Sequence, residues 1–282
     1  MKRPDIVTTV EALRGLVSGW RREGLRMGLV PTMGALHEGH LSLVAAAADR
    51  ADRLIVSIFV NPAQFAPHED FDRYPRNLDG DVSRLAEQGR TAIVFAPSVG
   101  AFYPEGFATR IELAGPALGL ETEFRPHFFS GVATVVAKLL IAAAPDIAVF
   151  GEKDYQQLLV VRRLARDLGL DVDILGAPIM READGLAMSS RNAYLDPRQR
   201  QIAGQLNRVL TGVATNIRTG TTITQAESRG RDALRAAGFD SVDYIAVRDA
   251  NTLARIETTV PEMRILAAAT IGGVRLIDNM PV

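Results

Sequence analysis

The chain of 282 residues contains no cysteine. That excludes disulfides, thiolate metal sites, a thiol nucleophile and thioester intermediates, and it fits a reducing cytoplasm. The chain also lacks an excess of charge of either sign. With 32 Lys and Arg against 33 Asp and Glu, its formal charge is −1, which draws no phosphate polyanion, so nucleic acid is not an expected partner. No apolar run approaches the roughly 18 residues of a membrane span. The opening "MKRPDIVTTVEALRGL" is charged early and has no signal-peptide apolar stretch, so neither a membrane nor secretion is expected. The phosphate signatures G-x-x-x-x-G-K-[ST] and G-x-G-x-x-G are missing too, and any phosphate must be held another way. Histidine is scarce, yet of the four in the chain two, His37 and His40, fall within one turn.

The hydrophobic content of 47% supplies ample core for one large domain or two unequal ones. Apolar runs at 26–30, 52–60, 91–97, 145–151 and 171–178 read as buried strands. Helical spacing fills the intervals at 40–51, 77–89, 131–144 and 155–169, with glycine or proline near the ends. This alternation predicts an α/β fold: a doubly wound, Rossmann-like parallel sheet covered by helices on both faces, with ligands at the carboxyl ends of its strands. After Pro178 the pattern changes to one long charged helix from about Asp196 to Arg218, another from Thr224 to Ala237, and short strands "VDYIAV", "MRILAAAT" and "GVRLIDN". We therefore expect residues 1–178 to form a nucleotide- and acid-binding domain and 179–282 a smaller α+β domain.

In "PTMGALHEGHLSLV" a glycine-bearing turn follows the first long strand, and His37 and His40 stand at the mouth of the next helix, where free backbone N–H groups attract anions. Plain capping is the alternative use of such histidines. The zinc-protease pattern needs H-E-x-x-H; "HEGH" is one residue short and has no obvious third ligand. Two further segments suit phosphate. In "FGEKDYQQL", Gly151 permits close backbone approach, Lys153 supplies a point charge and Asp154 can cap a helix, although an ordinary turn would look similar. In "AMSSRNAYL", Ser189, Ser190 and Arg191 line up donors as a polyphosphate clamp would, or form a serine-rich linker. Asn61 and Gln64 of "FVNPAQF", with Gln156 and Gln157, offer amides able to read hydroxyl and carboxylate oxygens. "EFRPHFFSG" brings Arg125 and His127 onto a loop, and the charges between 196 and 238 read as a solvated helix face.

Taken in order, "PTMGALHEGHLSLV", "FVNPAQF", "YPR", "GEKDYQQL", "MSSRN" and "RLIDN" resemble the pantothenate synthetases, the pantoate–β-alanine ligase family of the nucleotidylyltransferase superfamily, over essentially the whole chain. The resemblance implies that pantoate attacks the α-phosphate of ATP, and that β-alanine then attacks the acyl adenylate to give pantothenate, AMP and pyrophosphate. It implies His37, His40, Lys153 and Arg191 as catalytic, with His40 the family's proton donor. ATP would lie along Met33, Gly34, Ala35, Leu36, Glu38 and Gly39 with the two histidines, and along Gly151, Glu152 and Asp154 with Lys153. Met180, Met188, Ser189 and Ser190 would close over it with Arg191. Gln64 and Gln157 would grip pantoate, and Gln64 would also touch β-alanine. Mg2+ would accompany ATP, with Asp81 as its candidate ligand, and a homodimer is implied. One segment departs: the family reads R-P-x-H-F-x-G-V where this chain has "RPHFFSGV", so Phe128 occupies the histidine position and no role carries over to His127.

Overall fold

The computed structural model describes residues 3–67 and 69–282; Met1, Lys2 and His68 lie outside the described residues. The chain begins with β1 (Asp5–Val7), α1 (Val10–Arg22), β2 (Met27–Thr32), α2 (Glu38–Ala48) and β3 (Arg53–Ile58). It continues through α3 (Leu78–Gln88), β4 (Ile93–Phe95), α4 (Val99–Phe102), α5 (Glu121–Phe124), α6 (Phe128–Ala143) and β5 (Ile147–Gly151). Then follow α7 (Tyr155–Asp167), β6 (Asp173–Ala177), α8 (Pro197–Ala203), α9 (Gln205–Arg218), α10 (Ile223–Ala237), and strands β7 (Ser241–Asp249), β8 (Met263–Ile271) and β9 (Val274–Pro281). Short 3-10 turns at Pro62–Gln64, Glu152–Asp154 and Ser190–Tyr194 carry site residues.

The first six strands form one parallel sheet in the order β1-β4-β3-β2-β5-β6. Successive strand residues face opposite sides, and both sides are buried. Met27, Leu29, Ile55, Phe95 and Phe150 join a core with Leu13 of α1, Val136 of α6 and Leu158 of α7. Val30, Val56, Val94 and Val149, one residue out of step, pack with Val44 of α2 and Leu85 of α3. Hence the strands read as continuous apolar runs, and the sheet is doubly wound as expected. From β2 the chain winds outward to β3 and β4, then crosses to β5 and β6 on the other side. β2 pairs with β3 over Met27↔Arg53 to Thr32↔Ile58, but with β5 only at Gly28↔Ile147 and Leu29↔Ala148. Past that short ladder the two strands part, and the crevice between their carboxyl ends is the topological switch point.

The antiparallel sheet β7-β8-β9 packs α9 and α10 on one face around Leu210, Val213, Ile245 and Ile265. Two differences from the sequence reading stand out. The reading assigns neither β1 nor α1. The single helix expected over 196–218 is two, α8 ending at Ala203 and α9 beginning at Gln205; between them stands Gly204, where a side chain would lie 2.5 Å from the Asp184 carboxylate that Arg200 binds.

Candidate active site

At the end of β2, Gly34 and Ala35 both take left-handed backbone angles, φ 85° and 50°. Alanine resists that region by about 1 kcal/mol, so something must hold it. The holder is Asp81 of α3, whose carboxylate accepts the N–H groups of Ala35 at 2.9 Å and Leu36 at 2.8 Å. Asp81 is 4% exposed, and burial pushes its carboxyl above the ordinary value against the opposing pull of those two bonds. The turn delivers His37 as the N-cap of α2, its Nδ1 accepting from the Gly39 N–H at 3.1 Å, while His40 Nδ1 accepts from the His37 N–H at 3.3 Å. The two histidines thus form a capping box, ring centroids 4.1 Å apart. A side chain on Gly39 would sit 2.8 Å from the His37 ring, which explains the glycine between them.

With both Nδ1 atoms accepting, each ring carries its hydrogen on Nε2 and keeps one free donor. Burial, with Lys153 and Arg84 adding repulsion, pulls His37 down to about 4; burial, His37 and Lys153 pull His40 down to about 3. Both imidazoles are therefore neutral near pH 7, donors rather than cations.

A cavity of about 800 Å³ opens at the switch point. Of the ATP residues expected from sequence, Met33, His37, Gly39 and His40 line it from one side and Gly151, Lys153 and Asp154 from another. Met180, Met188, Ser189, Ser190 and Arg191 line it from beyond the sheet. Gly34, Ala35, Leu36, Glu38 and Glu152 do not form its wall. The first three make the turn that Asp81 holds, Glu38 is exposed, and Glu152 pairs with Arg264 at 3.2 Å. Lys153 has no carboxylate partner among the described residues, and its turn is fixed from β9, where Asn279 Nδ2 donates to the carbonyls of Glu152 and Lys153 at 2.9 and 2.8 Å.

The serine-arginine segment differs from an open clamp. Arg191 donates from Nε and Nη2 to Asp70 at 2.9 and 2.8 Å, Ser190 Oγ meets the Tyr74 hydroxyl at 3.0 Å, and Ser189 caps the Arg191 N–H. Next to Asp70, Glu69 takes two bonds of 2.7 Å from Arg125. Burial raises the carboxyls of Glu69 and Asp70, but the guanidinium bonds outweigh it and both end below the ordinary value. The acid pair escaped the sequence reading; its signal is two adjacent carboxylates just before "YPR".

The glutamines divide by role. Gln64 and Gln157 line the cavity half-buried, whereas Gln156 is 4% exposed and braces the 116–121 loop through Pro116, Gly119 and Glu121. Gln64 Nε2 meets Met33 Sδ at 3.3 Å. In the departing segment, the Arg125 guanidinium lies 3.9 Å from the Phe128 ring centroid, and His127, off the cavity wall, has a buried Nε2 with no hydrogen-bond partner among the described residues. Among the described residues no group of three or more His, Asp or Glu could hold a metal ion, and both Asp81 oxygens already serve backbone N–H groups. The described residues hold no all-protein magnesium cage, and Asp81 braces the turn with both of its oxygens.

Comparison with known proteins converges on one family. A family model described as pantoate-beta-alanine ligase matches residues 5–281. A pantothenate synthetase of Mesorhizobium japonicum is 56% identical over 282 residues, all of this chain and 99% of that protein. Among solved structures, a pantothenate synthetase of Thermus thermophilus superposes with a TM-score of 0.91 at 46% identity, covering 98% of each chain. A pantoate-beta-alanine ligase of Francisella tularensis, complexed with beta-gamma ATP and beta-alanine, superposes with a TM-score of 0.84 at 34% identity over 99% of this chain and 97% of that one. With the histidine pair, the lysine turn and the two glutamines gathered at one crevice, and with likeness this high from end to end, the chain belongs to the pantoate–β-alanine ligase family.

Proposed function

We propose that this chain condenses pantoate with β-alanine, using ATP, to form pantothenate, AMP and pyrophosphate. The observation that carries the reading is a single cavity lined by two neutral imidazole donors, Lys153 and the Gln64 and Gln157 amides together. Such a site can hold a triphosphate against a small hydroxy acid. The pantoate carboxylate oxygen attacks the α-phosphorus and pyrophosphate leaves; the β-alanine nitrogen then attacks the acyl carbon, sheds a proton, and AMP leaves. Neither step needs a protein nucleophile, only positioning and charge stabilisation, and a chain without cysteine suits that.

In this reading His37 and His40 donate from Nε2 to the oxygens gaining charge at the α-phosphate, and Lys153 offsets charge on the departing pyrophosphate. Because His40 is neutral near pH 7, it acts as a hydrogen-bond donor more than as an imidazolium acid. Arg191 and Ser190 reach the phosphates once they leave Asp70 and Tyr74. Gln157 and Gln64 read the acid, and Gln64 also meets β-alanine. Magnesium enters with the nucleotide as MgATP, on phosphate oxygens. Residues 179–282 act as a lid that keeps water from the adenylate. A homodimer, implied by the family resemblance, and residence in the cytoplasm, expected from the absence of cysteine, belong to the same reading; no helix among the described residues is long and apolar enough to cross a membrane.

The test is product analysis with pantoate, β-alanine and ATP. Pantothenate, AMP and pyrophosphate are expected, with pantoate-dependent exchange of labelled pyrophosphate into ATP in the absence of β-alanine. ADP and phosphate as products would mean acyl-phosphate chemistry and overturn it. Equilibrium sedimentation decides the dimer.

A further inference from the structure

Tyr103, just past α4, does not line the cavity, yet its hydroxyl ends on the side chain that aims Gln64. That side chain is Asn61, 1% exposed at the start of the Pro62–Gln64 turn. Its Oδ1 accepts from the Tyr103 hydroxyl at 2.9 Å and the Ala63 N–H at 3.3 Å, and its Nδ2 donates to Gln64 Oε1 at 3.1 Å and the Gly131 carbonyl at 3.2 Å. All four bonding directions of the amide are used. Turned over, it would set its NH2 against the Ala63 N–H, which only donates, and its carbonyl against the Gly131 carbonyl, which only accepts; this fixes the end that faces Gln64, and the Tyr103 hydroxyl completes the bonds that hold the amide in place. With Oε1 taken by Asn61, Gln64 turns its NH2 to the cavity side, where its one hydrogen-bond partner among the described residues is the weak acceptor Met33 Sδ.

We infer that Tyr103 is a positioning residue for the acid substrate: through Asn61 its hydroxyl fixes the Gln64 amide so that a donor faces the carboxylate and hydroxyls. This rests on the reading above that Gln64 grips pantoate. The ring itself is placed by other contacts, with Phe59, Phe102 and Phe107 at 6.0, 5.4 and 5.0 Å between centroids and the Lys138 ammonium 5.5 Å from its centre. Removing the hydroxyl therefore leaves the packing in place. Burial also pushes that hydroxyl up to about 12, so it remains a donor across the working pH range.

Tyr103→Phe is expected to raise KM for pantoate about three- to tenfold, the range for one neutral hydrogen bond. KM for ATP should stay put and kcat within about twofold. In a Gln64→Ala background the same change should add nothing to the pantoate KM, because the residue through which Tyr103 acts is gone. A readout free of turnover is the pair of side-chain amide resonances of Asn61 and Gln64, which should both move in Tyr103→Phe. An unchanged pantoate KM, an equal effect in both backgrounds, or unmoved resonances would overturn the inference. If the wild-type protein made no pantothenate, the functional reading would fall, while the resonances would still decide whether Tyr103 sets Gln64.

Discussion

The two segments proposed to face phosphate are held in opposite ways. The turn at 33–40 is braced from behind: Asp81 takes backbone N–H groups, the histidines cap their own helix through Nδ1, and the Nε2 donors stay free. The segment at 189–191 is held from the front, its guanidinium and one hydroxyl spent on Asp70 and Tyr74. In the proposed function one is ready before ligand arrives, and the other exchanges partners to reach it. Preorganisation thus resides in bonds to backbone, and adaptability in bonds between side chains.

Asp81→Ala should do most to erase the contrast. It strips acceptors from two backbone N–H groups at a strained turn, a loss of roughly 3 to 5 kcal/mol in urea unfolding, and adenylate formation should collapse with it. A variant as stable as wild type would show that the turn holds itself.

His40→Ala should lower adenylate formation by at least about a hundredfold, roughly 2.7 kcal/mol, measured in single turnovers. Stability should drop by only about 1 kcal/mol, since one capping bond goes. A near-normal rate would leave His40 as a cap alone.

Acid sharpens the same point. Both histidines titrate below 6.5 when folded, at about 4 and about 3, so below pH 6.5 the unfolded chain binds protons that the native state refuses. Their contribution is present above that pH, is lost between about 6.5 and 4 to 3, and changes no further below. Urea midpoints should fall from pH 7 to 5, before the carboxylates titrate, and less steeply in His40→Gln. Ring resonances of His40 titrating near 6.5 would contradict the buried capping box.

Asp70→Asn is the gentlest test. It keeps size but removes the charge that ATP must displace from Arg191, so KM for ATP should fall about two- to fivefold, with about 1 kcal/mol or less of stability lost. A raised KM would mean that Asp70 aims Arg191 instead of occupying it.

Much of this was legible in order along the chain. Strands buried on both faces announce themselves as runs such as "LIVSI", and turns following them mark the crevice. β1, three residues long, carries too little apolar pattern to be assigned, whereas α1 was legible, since Val10, Leu13, Val17 and Trp20 recur at helical spacing on the face that meets the core, and the reading passes over it. The need for glycine at 204 comes from a carboxylate on another segment, and local helix pattern cannot register it. The site shows the same limit. His37, His40, Lys153, Gln64 and Gln157 sit in turns or in the first turn of the helix that follows, within motifs of their own signature, but the commitment of Arg191 to Asp70 joins residues 121 positions apart. Asp81 was legible as an acid near the site; its service to backbone instead of a cation depends on the path of a turn that only folding defines.

The short ladder between β2 and β5 also governs when the site can exist. Beside it, the Met27 N–H donates to the Asp146 carboxylate across 119 residues, so this seam closes one of the large loops of the fold. Loop closure of that span is slow relative to hairpins and helices. A ribosome that has released β2, β3 and β4 has released the histidine turn and its Asp81 brace, but the flank of β2 that β5 will cover is still bare. Until the chain past Gly151 emerges, that strand edge is a surface for wrong pairing, and the lysine has nowhere to stand. Assembly of the crevice is therefore expected as the late event of folding, with refolding rates read from ligand-binding signals lagging those read from helix formation.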